Sequence, residues 1–197
     1  MAPSSDTWLV VGLGNPGSAY ANTRHNVGQM VVDELASRAS AAFKSHKTNS
    51  HVAEGRIHVG GPKLILAKSN GYMNTSGGPV SQLLNFYSLA AAQLIVVQDE
   101  LDIPFDTLKL KFGGGHGGHN GVRDIIKATG TGDFTRVRVG VGRPPGSSDA
   151  ADHVLKAFSS TERKNLPILI GDAADAIELI TTQGLTAAQL RFHTKSA

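Results

Sequence analysis

Short apolar runs alternate with segments of helical periodicity along most of this chain. Strands are predicted at 8–11, near 51–58 and 63–68, and at 94–97, 108–112 and 137–141. The runs at 8–11 and 94–97 are wholly apolar, which is typical of buried strands, and the last two strands alternate with period two. No internal repeat and no Pro/Ser-rich linker interrupts this order. It predicts one α/β domain over residues 1–197, with a twisted, mostly parallel or mixed sheet and helices on both faces.

The predicted helices fill the intervals between these strands. They are expected after residue 23, over 79–87, over 120–128 and from about residue 160 onward. Thr23 or Asn22 can cap the first of them, because both residue types accept hydrogen bonds from a helix N-terminus. Pro167 is expected either to begin a helix or to kink one, since proline lacks the backbone N–H.

Composition excludes several classes of protein. The chain has no cysteine, so disulfides, thiolate catalysis and cysteine-ligated zinc are excluded. Only 18% of the residues are charged, too few for a disordered, charge-rich protein. The opening residues 1–6 lack the features of a signal peptide. No apolar run approaches the ~18–20 residues that span a bilayer. We therefore expect a cytoplasmic protein without membrane contact.

The small positive charge of the chain is concentrated in one stretch. The formal net charge is +3 at pH 7, yet residues 105–143 contain seven Lys and Arg against three Asp. Such a stretch is either a solvated face or a surface for an anionic partner, such as phosphate or nucleic acid. Charge alone leaves both interpretations open.

Four polar clusters follow apolar strands or open helices. They lie at 12–26, 71–78, 98–102 and 113–121, and six of the nine residues in the last are glycine. Ligands of open α/β sheets bind beyond the carboxyl ends of the strands, which is where these clusters fall. Glycine and asparagine are also ordinary turn residues, so any one cluster alone is compatible with a simple turn. Together they predict a binding or catalytic site.

A dinucleotide site is the first hypothesis that these clusters raise. Residues 12–17 match the pattern G-x-G-x-x-G after a strand. Pro16 and the further stretch before the helix argue against it, because they separate the glycines from the helix N-terminus. The acidic pair Asp33-Glu34 also falls inside a predicted helix rather than at the end of a strand. The chain has no G-x-S-x-G motif, which disfavours a serine hydrolase.

Two further hypotheses involve histidine. His116 and His119, with Asp99 or Asp102, have the spacing of a partial metal site, but no second histidine pair supports it. His25 follows the first strand, and the two aspartates follow a later one. If those strands are neighbours, an aspartate can hold the imidazole tautomer while the other ring nitrogen deprotonates water. A lone histidine at a helix start is nevertheless most often structural.

In this order and spacing, the clusters resemble the bacterial-type peptidyl-tRNA hydrolase family from Trp8 to His193. The motifs are Val-Gly-Leu-Gly-Asn-Pro-Gly, Tyr20, Thr-Arg-His-Asn, Tyr-Met-Asn-Thr-Ser-Gly, Asp-Glu-Leu-Asp, Gly-Gly-His-Gly-Gly-His-Asn-Gly and Arg-Val-Arg-Val-Gly-Val-Gly-Arg-Pro. The resemblance implies hydrolysis of the ester between a peptide and the 3′ ribose of tRNA. It implies a monomer that binds the acceptor end of tRNA and needs neither a metal nor another cofactor.

The resemblance also implies roles for individual residues. His25 is expected to be the general base, and Asp99 its partner. Those expected to contact peptide and attacking water are Asn15, Tyr20, Met73, Asn74 and Asn120. Lys111 and Arg138, both in the basic stretch, are expected to hold the 5′-terminal phosphate of tRNA. An RNA-binding relative that lacks the reaction remains the alternative, and the intact His25 and Asp99 argue against it.

Overall fold

The computed structural model describes residues 6–193 and is organised around a seven-stranded sheet. Its strands are β1 (Thr7–Gly12), β2 (Lys44–His46), β3 (Ser50–Gly55), β4 (Lys63–Ser69), β5 (Leu94–Glu100), β6 (Leu108–Phe112) and β7 (Thr135–Gly140). Its helices are α1 (Val27–Arg38), α2 (Gly77–Phe86), α3 (Asn120–Thr129), α4 (Ala150–Val154), α5 (Ser160–Gln183) and α6 (Leu185–His193). The prediction that the chain has no signal peptide rests on residues 1–6. Of these, residues 1–5 lie outside the described residues.

The sheet is mixed, as predicted, and its strand order is β2-β3-β4-β1-β5-β7-β6. The four central strands β4, β1, β5 and β7 run parallel, and the pairs at both edges are antiparallel. Strand β1 lies between β4 and β5, with Val10 paired to Leu66 on one side and to Ile95 on the other. Parallel strands are covered on both faces, which explains the wholly apolar middle of β4, β1 and β5.

Helices cover both faces of the sheet, and each face has its own core. Val10 points into the layer formed by α1 and α5, where it shares a core with Ile177. Leu9 points the other way, into the layer formed by α2 and α3, with Leu83 and Ile125. Successive side chains of a strand face opposite sides, so one apolar run serves both cores. The predicted helices on both faces are confirmed.

Two predicted helix starts are wrong. Thr23 does not cap α1, because its hydroxyl donates to the carbonyl oxygen of Tyr20 at 2.8 Å and residues 24–26 form a short 3₁₀ turn first. Pro167 does not begin a helix, because α5 already begins seven residues earlier. There the Ser159 N–H donates to Glu162 Oε1 at 2.8 Å, and the Glu162 N–H donates to Ser159 Oγ at 3.1 Å. This reciprocal capping box, rather than the proline, sets the start of the helix.

The sequence pattern also missed β2, α4 and the division between α5 and α6. The division lies at Gly184, whose φ of 96° ends the first of these helices. Helix α6 then covers the free edge of β6. The Leu110 N–H donates to His193 Nε2 at 2.8 Å, and Gln189 Nε2 donates to the Leu110 carbonyl at 3.0 Å. Side chains thus occupy the bonding positions of the next strand and protect the edge.

No helix within residues 6–193 combines the length and apolar character that crossing a membrane requires.

Two glycines let α1 approach the sheet closely. A Cβ atom at Gly28 would collide with the carbonyl oxygen of Val97, and one at Gly12 would collide with the carbonyl oxygen of Gly28. Only glycine permits this approach of two backbones. The contact places the turn before α1 directly against the ends of β1 and β5.

We predict that Gly28→Ala destabilises the fold by about 1–3 kcal/mol, the usual range for an overpacked site. Gly171→Ala is the matched helical control, because a Cβ atom there meets nothing closer than 3.8 Å. It should be stabilising by about 0.5–1 kcal/mol, since alanine favours a helix interior. Denaturant unfolding of both variants measures the difference, and equal stabilities would contradict the close approach.

Candidate active site

A cleft of about 550 Å³ opens beyond the carboxyl ends of the parallel strands. Six of the nine residues predicted for the site line it: Asn15, His25, Met73, Asn74, Asp99 and Asn120. The sheet order explains this convergence. Strands β4, β1 and β5 are parallel neighbours, so the polar segments at their carboxyl ends meet at one edge.

The centre of the cleft is the carboxylate of Asp99, which is 3% exposed. His25 Nδ1 lies 2.9 Å from Asp99 Oδ2, and His119 Nε2 lies 2.7 Å from Asp99 Oδ1. Burial alone would raise the pKa of this carboxyl. The charges and hydrogen bonds of His119 and then His25 outweigh burial, so the pKa lies well below its ordinary value of 3.8. Asp99 is therefore ionised and accepts from both rings.

The two histidines differ in what their second ring nitrogen does. His119 Nδ1 accepts from the backbone N–H of Gly121 at 3.2 Å and of Val122 at 3.4 Å, and so caps α3. Both nitrogens of His119 are thus engaged. His25 Nε2 has no hydrogen-bond partner among residues 6–193, and the His25 side chain lines the cleft. Of the two rings, His25 is the one that can accept a proton from a ligand.

Asp102 and His116, both considered for this site, bond to other partners, although Asp102 lines the cleft. Asp102 pairs with Arg143 at 2.7 Å, and both side chains are largely exposed. His116 Nδ1 accepts from the N–H of Gly118 at 2.9 Å, within its own loop. Strand position alone left Asp99 and Asp102 open, the family resemblance implied Asp99, and the structure pairs His25 with Asp99.

Residues 6–193 bring together one set of three potential metal ligands. His25, Asp99 and His119 each offer an atom, and these atoms lie within 4.8 Å of one another. His116 is not among these three residues, so the partial His-x-x-His site that the sequence raised but did not favour does not form. A cation at these three groups would replace both hydrogen bonds of Asp99, because it would bind the same atoms.

Asn15 joins two loops at the edge of the cleft. Its side-chain oxygen accepts from the backbone N–H of Met73 at 2.8 Å. Its backbone exchanges two hydrogen bonds of 2.9 Å with the side chain of Asn26, the residue after His25. Because the Asn15 oxygen is occupied, its amide N–H₂ is the group left to serve a ligand. Asn26 is a site residue to which the sequence analysis gave no role.

The turn that carries His25 is also fixed from behind, by Arg24. This buried guanidinium donates to Glu162 at 2.6 Å and to the carbonyl oxygens of His153 at 3.1 Å and Lys156 at 3.4 Å. It therefore ties the turn to the start of α5 and to the end of α4. The sequence shows an arginine next to the candidate histidine, but it does not show the partners of Arg24, which lie about 130 residues further along the chain.

One wall of the cleft is apolar and was not predicted. It is formed by α4 and the following residue, through Ala150, Ala151, Val154 and Leu155. Tyr20, expected in the channel, does not line the cavity itself. Its ring meets Tyr72 edge-on, with centroids 6.3 Å apart, and Tyr72 is a lining residue.

Lys111 and Arg138 lie on β6 and β7, outside the lining of the cleft. In the antiparallel register Lys111 opposes Arg136, and Lys109 opposes Arg138. Lys109 and Lys111 alternate with the core residues Leu108 and Leu110, so all four cations share the opposite face of the sheet. The basic stretch of the sequence thus becomes a basic surface.

The dinucleotide hypothesis does not fit this structure. After Gly17 the chain continues for nine more residues before α1, so the glycines do not lead into a helix N-terminus. Asp33 lies within α1 and pairs with Lys68 Nζ at 2.6 Å.

Fold and site together define an α/β enzyme built around a histidine–aspartate pair. The sequence model of the family described as peptidyl-tRNA hydrolase matches residues 9–197. The chain belongs to the peptidyl-tRNA hydrolase family, a family of ester hydrolases.

Close relatives and solved structures agree with this assignment. The chain is 76% identical over 187 residues to a peptidyl-tRNA hydrolase of Leifsonia xyli, covering 95% of this chain and 97% of the relative. It is 61% identical over 190 residues to one from an Arthrobacter species, covering 96% and 98%. The crystal structure of the Acinetobacter baumannii peptidyl-tRNA hydrolase superimposes with a TM-score of 0.88 at 35% identity, covering 98% and 97%.

We predict that Asp99 makes stability depend on pH below about pH 4. Its pKa is lowered in the folded state, so its contribution is complete above the unfolded-state value and is lost as the pH falls through the folded-state value. The stability difference between the parent chain and Asp99→Asn should therefore be largest near neutral pH and narrow in acid. Denaturant titrations from pH 7 to pH 3 measure it, with exposed Asp152→Asn as the control. A pH-independent difference would contradict this account.

Proposed function

We propose that this chain hydrolyses the ester between a peptide and the 3′ ribose of tRNA, with His25 as the general base and Asp99 as its partner. The observation that carries the proposal is the hydrogen bond between His25 Nδ1 and Asp99. Of the four ring nitrogens of His25 and His119, only His25 Nε2 has no hydrogen-bond partner among residues 6–193. A free imidazole nitrogen can take up a proton and give it back, which is what acid–base catalysis of this step requires.

In the proposed mechanism the ionised Asp99 keeps the proton on Nδ1 of His25, so Nε2 is basic. Nε2 removes a proton from water, and the hydroxide adds to the ester carbonyl to form a tetrahedral intermediate. Asp99 stabilises the imidazolium that results. That imidazolium returns its proton to the ribose oxygen as the carbon–oxygen bond breaks, which releases free peptide and tRNA. General acid–base action of this kind contributes about 10²–10⁴-fold.

Amide groups supply the positioning that this step requires. The Asn15 side-chain oxygen already accepts from Met73, which leaves its N–H₂ group as the free donor for the carbonyl or developing oxyanion of the substrate. Asn74 and Asn120 line the same cleft and extend the set of amides. The apolar wall at α4 offers contact to peptide side chains without selecting among them. This arrangement suits an enzyme that must accept many peptides.

The proposed reaction requires neither a metal nor an organic cofactor. Its leaving group is a ribose alcohol rather than an amine, and a positioned imidazole can both activate water and protonate that alcohol. Peptide release should accordingly persist in the presence of a chelator. Because one chain provides every residue of the site, we also propose that a monomer is active. A substrate made by translation places the enzyme in the cytoplasm.

We propose that Lys111 and Arg138 hold the 5′-terminal phosphate of the tRNA acceptor end, and we call this pair the phosphate clamp. Their shared face on β6 and β7 supports this role. Burial, then Arg136 and Arg138, lower the pKa of Lys111, so this cluster of cations favours an anion. Phosphate contacts position a nucleic acid without specifying its sequence, which suits an enzyme that processes many tRNAs.

We predict that His25→Ala lowers kcat by about 10²–10⁴-fold, because it removes the base. Binding of tRNA should stay close to that of the parent chain, and the variant should still fold with some loss of stability, because Asp99 loses one of its two partners. Peptide release from a blocked aminoacyl-tRNA measures the rate, and exposed His58→Ala is the control. Undiminished turnover in His25→Ala would refute the mechanism, and release no faster than without protein in the parent chain would favour an RNA-binding module.

We predict that Lys111→Ala combined with Arg138→Ala weakens tRNA binding and reduces its salt dependence by about one unit of slope per cation. The kinetic constant kcat at saturating substrate should fall much less than it does in His25→Ala. Binding titrations over a series of salt concentrations measure the slope, with exposed Lys164→Ala as the control. An unchanged slope would show that the phosphate lies elsewhere.

A further inference from the structure

We propose that Arg136 is a positioning residue that connects the phosphate clamp to the catalytic centre. The proposal rests on the clamp function of Lys111 and Arg138 proposed above. It adds that a bound 5′ phosphate accelerates the chemical step as well as strengthening binding, and that Arg136 transmits this effect through the backbone of residues 113–118, here called the glycine loop.

Arg136 is buried beneath the glycine loop, with 3% of its surface exposed. Its Nη1 donates to the carbonyl oxygen of Gly115 at 2.7 Å. Within the described part of the chain, this is the one hydrogen bond that a side chain from outside the loop makes to it. Gly113, Gly114, Gly117 and Gly118 have φ values of 74°, 88°, 59° and 84°. A loop with so much glycine has little conformational preference of its own, so an external contact decides where it lies.

The glycine loop leads directly into the catalytic centre. The next residue, His119, donates to Asp99 at 2.7 Å and caps α3. The residue after that, Asn120, lines the cleft. A change in the position of Gly115 therefore reaches both the partner of Asp99 and one of the amides that face the substrate. Positioning errors of about 1 Å can slow a reaction by about 10²-fold.

Arg136 also lies beside the two cations of the clamp, whose charges interact with the same guanidinium that holds the loop. It opposes Lys111 across the antiparallel pair and precedes Arg138 by two residues on the same face of the strand. Like charges directly opposed on a sheet repel each other. Lys111 Nζ also lies against the glycine loop, 2.7 Å from where a Cβ atom of Gly114 would be. The clamp and the loop are thus in contact around Arg136.

The three cations Lys111, Arg136 and Arg138 share one acidic neighbour, and two of their buried donors lack an acceptor. Glu100 is the acidic group whose charge acts on Lys111, Arg136 and Arg138. Burial raises the pKa of Glu100, opposed by Arg138 and reinforced by Asp102. The Nε atoms of Arg136 and Arg138 are buried and have no partner among residues 6–193. A buried donor without an acceptor is costly, so an anion in the clamp would stabilise the cluster.

The coupling follows from these contacts. Without an anion, repulsion from Lys111 and Arg138 acts on the guanidinium that holds Gly115. A phosphate in the clamp neutralises that repulsion and favours the arrangement in which Arg136 stays bonded to the loop. The same arrangement keeps His119 on Asp99. The catalytic centre is therefore correctly arranged in a larger fraction of complexes with substrate that carries the 5′ phosphate than with substrate that lacks it.

The test compares a blocked aminoacyl-tRNA with the same substrate after enzymatic removal of its 5′ phosphate. For the parent chain we expect removal to raise KM and to lower kcat by about tenfold, within the usual range of coupling between two sites. For Arg136→Met we expect kcat to be low and equal on both substrates. KM should still depend on the phosphate in this variant, because Lys111 and Arg138 remain.

A purely structural role for Arg136 would lower kcat by the same factor on both substrates, and that result would overturn the proposal. So would an undiminished kcat for the parent chain on dephosphorylated substrate. In that case, a raised KM would leave the phosphate clamp intact and refute only the coupling. An unchanged KM would refute the phosphate clamp as well.

Two further variants keep the comparison decisive. Arg163→Met removes an exposed arginine of α5 and should retain the tenfold difference in kcat between the two substrates. If Arg136→Met does not fold, as judged by its thermal transition, Arg136→Lys is measured instead. It keeps the positive charge but loses the guanidinium fork. A kcat ratio near one in Arg136→Lys supports the coupling, and a ratio near ten overturns it.

Discussion

The rest of this structure depends on one buried carboxylate that two imidazoles share. Asp99 is ionised inside the protein because His25 and His119 each bond one of its oxygens, at 2.9 Å and 2.7 Å. A buried charge is tolerated only when it is paired in this way. The three residues come from distant parts of the chain, so the strand order, the turn before α1 and the cap of α3 must all be correct for the carboxylate to be satisfied. Stability and function therefore constrain the same contacts.

Most polar groups around that carboxylate have protein partners, and the groups that can still meet a ligand lie in the cleft. Arg24, Asn26 and His119 form hydrogen bonds with other residues of the protein, and these bonds fix the loops at the ends of the strands. His25 Nε2 and the Asn15 amide remain available to a ligand. A site of this kind is organised before substrate arrives, which reduces the reorganisation that the reaction requires. The basic face of β6 and β7 lies outside the lining of the cleft and meets this network through the bond of Arg136 to Gly115.

Much of this could be predicted from the sequence because it is local. The apolar runs of β1 and β5 and the helical spacing in α2 and α3 follow from periodicities of two and 3.6 residues. Other features could not be predicted because their partners are remote. Thr23 could have capped a helix, but its hydroxyl bonds to Tyr20 instead. The position of α6 depends on its hydrogen bond to β6, a strand that is remote in sequence. Strand position alone does not separate Asp99 from Asp102, although the motif order of the family does, and Asp99 is the one that bonds an imidazole.

The sequence by itself determined the α/β class, the alternation of elements, and which segments carry polar chemistry, because side-chain periodicity and motif order are properties of neighbouring residues. It also determined the family, through motifs in a fixed order. Only the tertiary structure decided that His119 serves Asp99 rather than a pair with His116. It likewise decided that the Asn15 oxygen is occupied and that Arg136 joins the glycine loop to the basic face. Those facts depend on which strands are neighbours and how closely the backbones approach, and no local pattern specifies either.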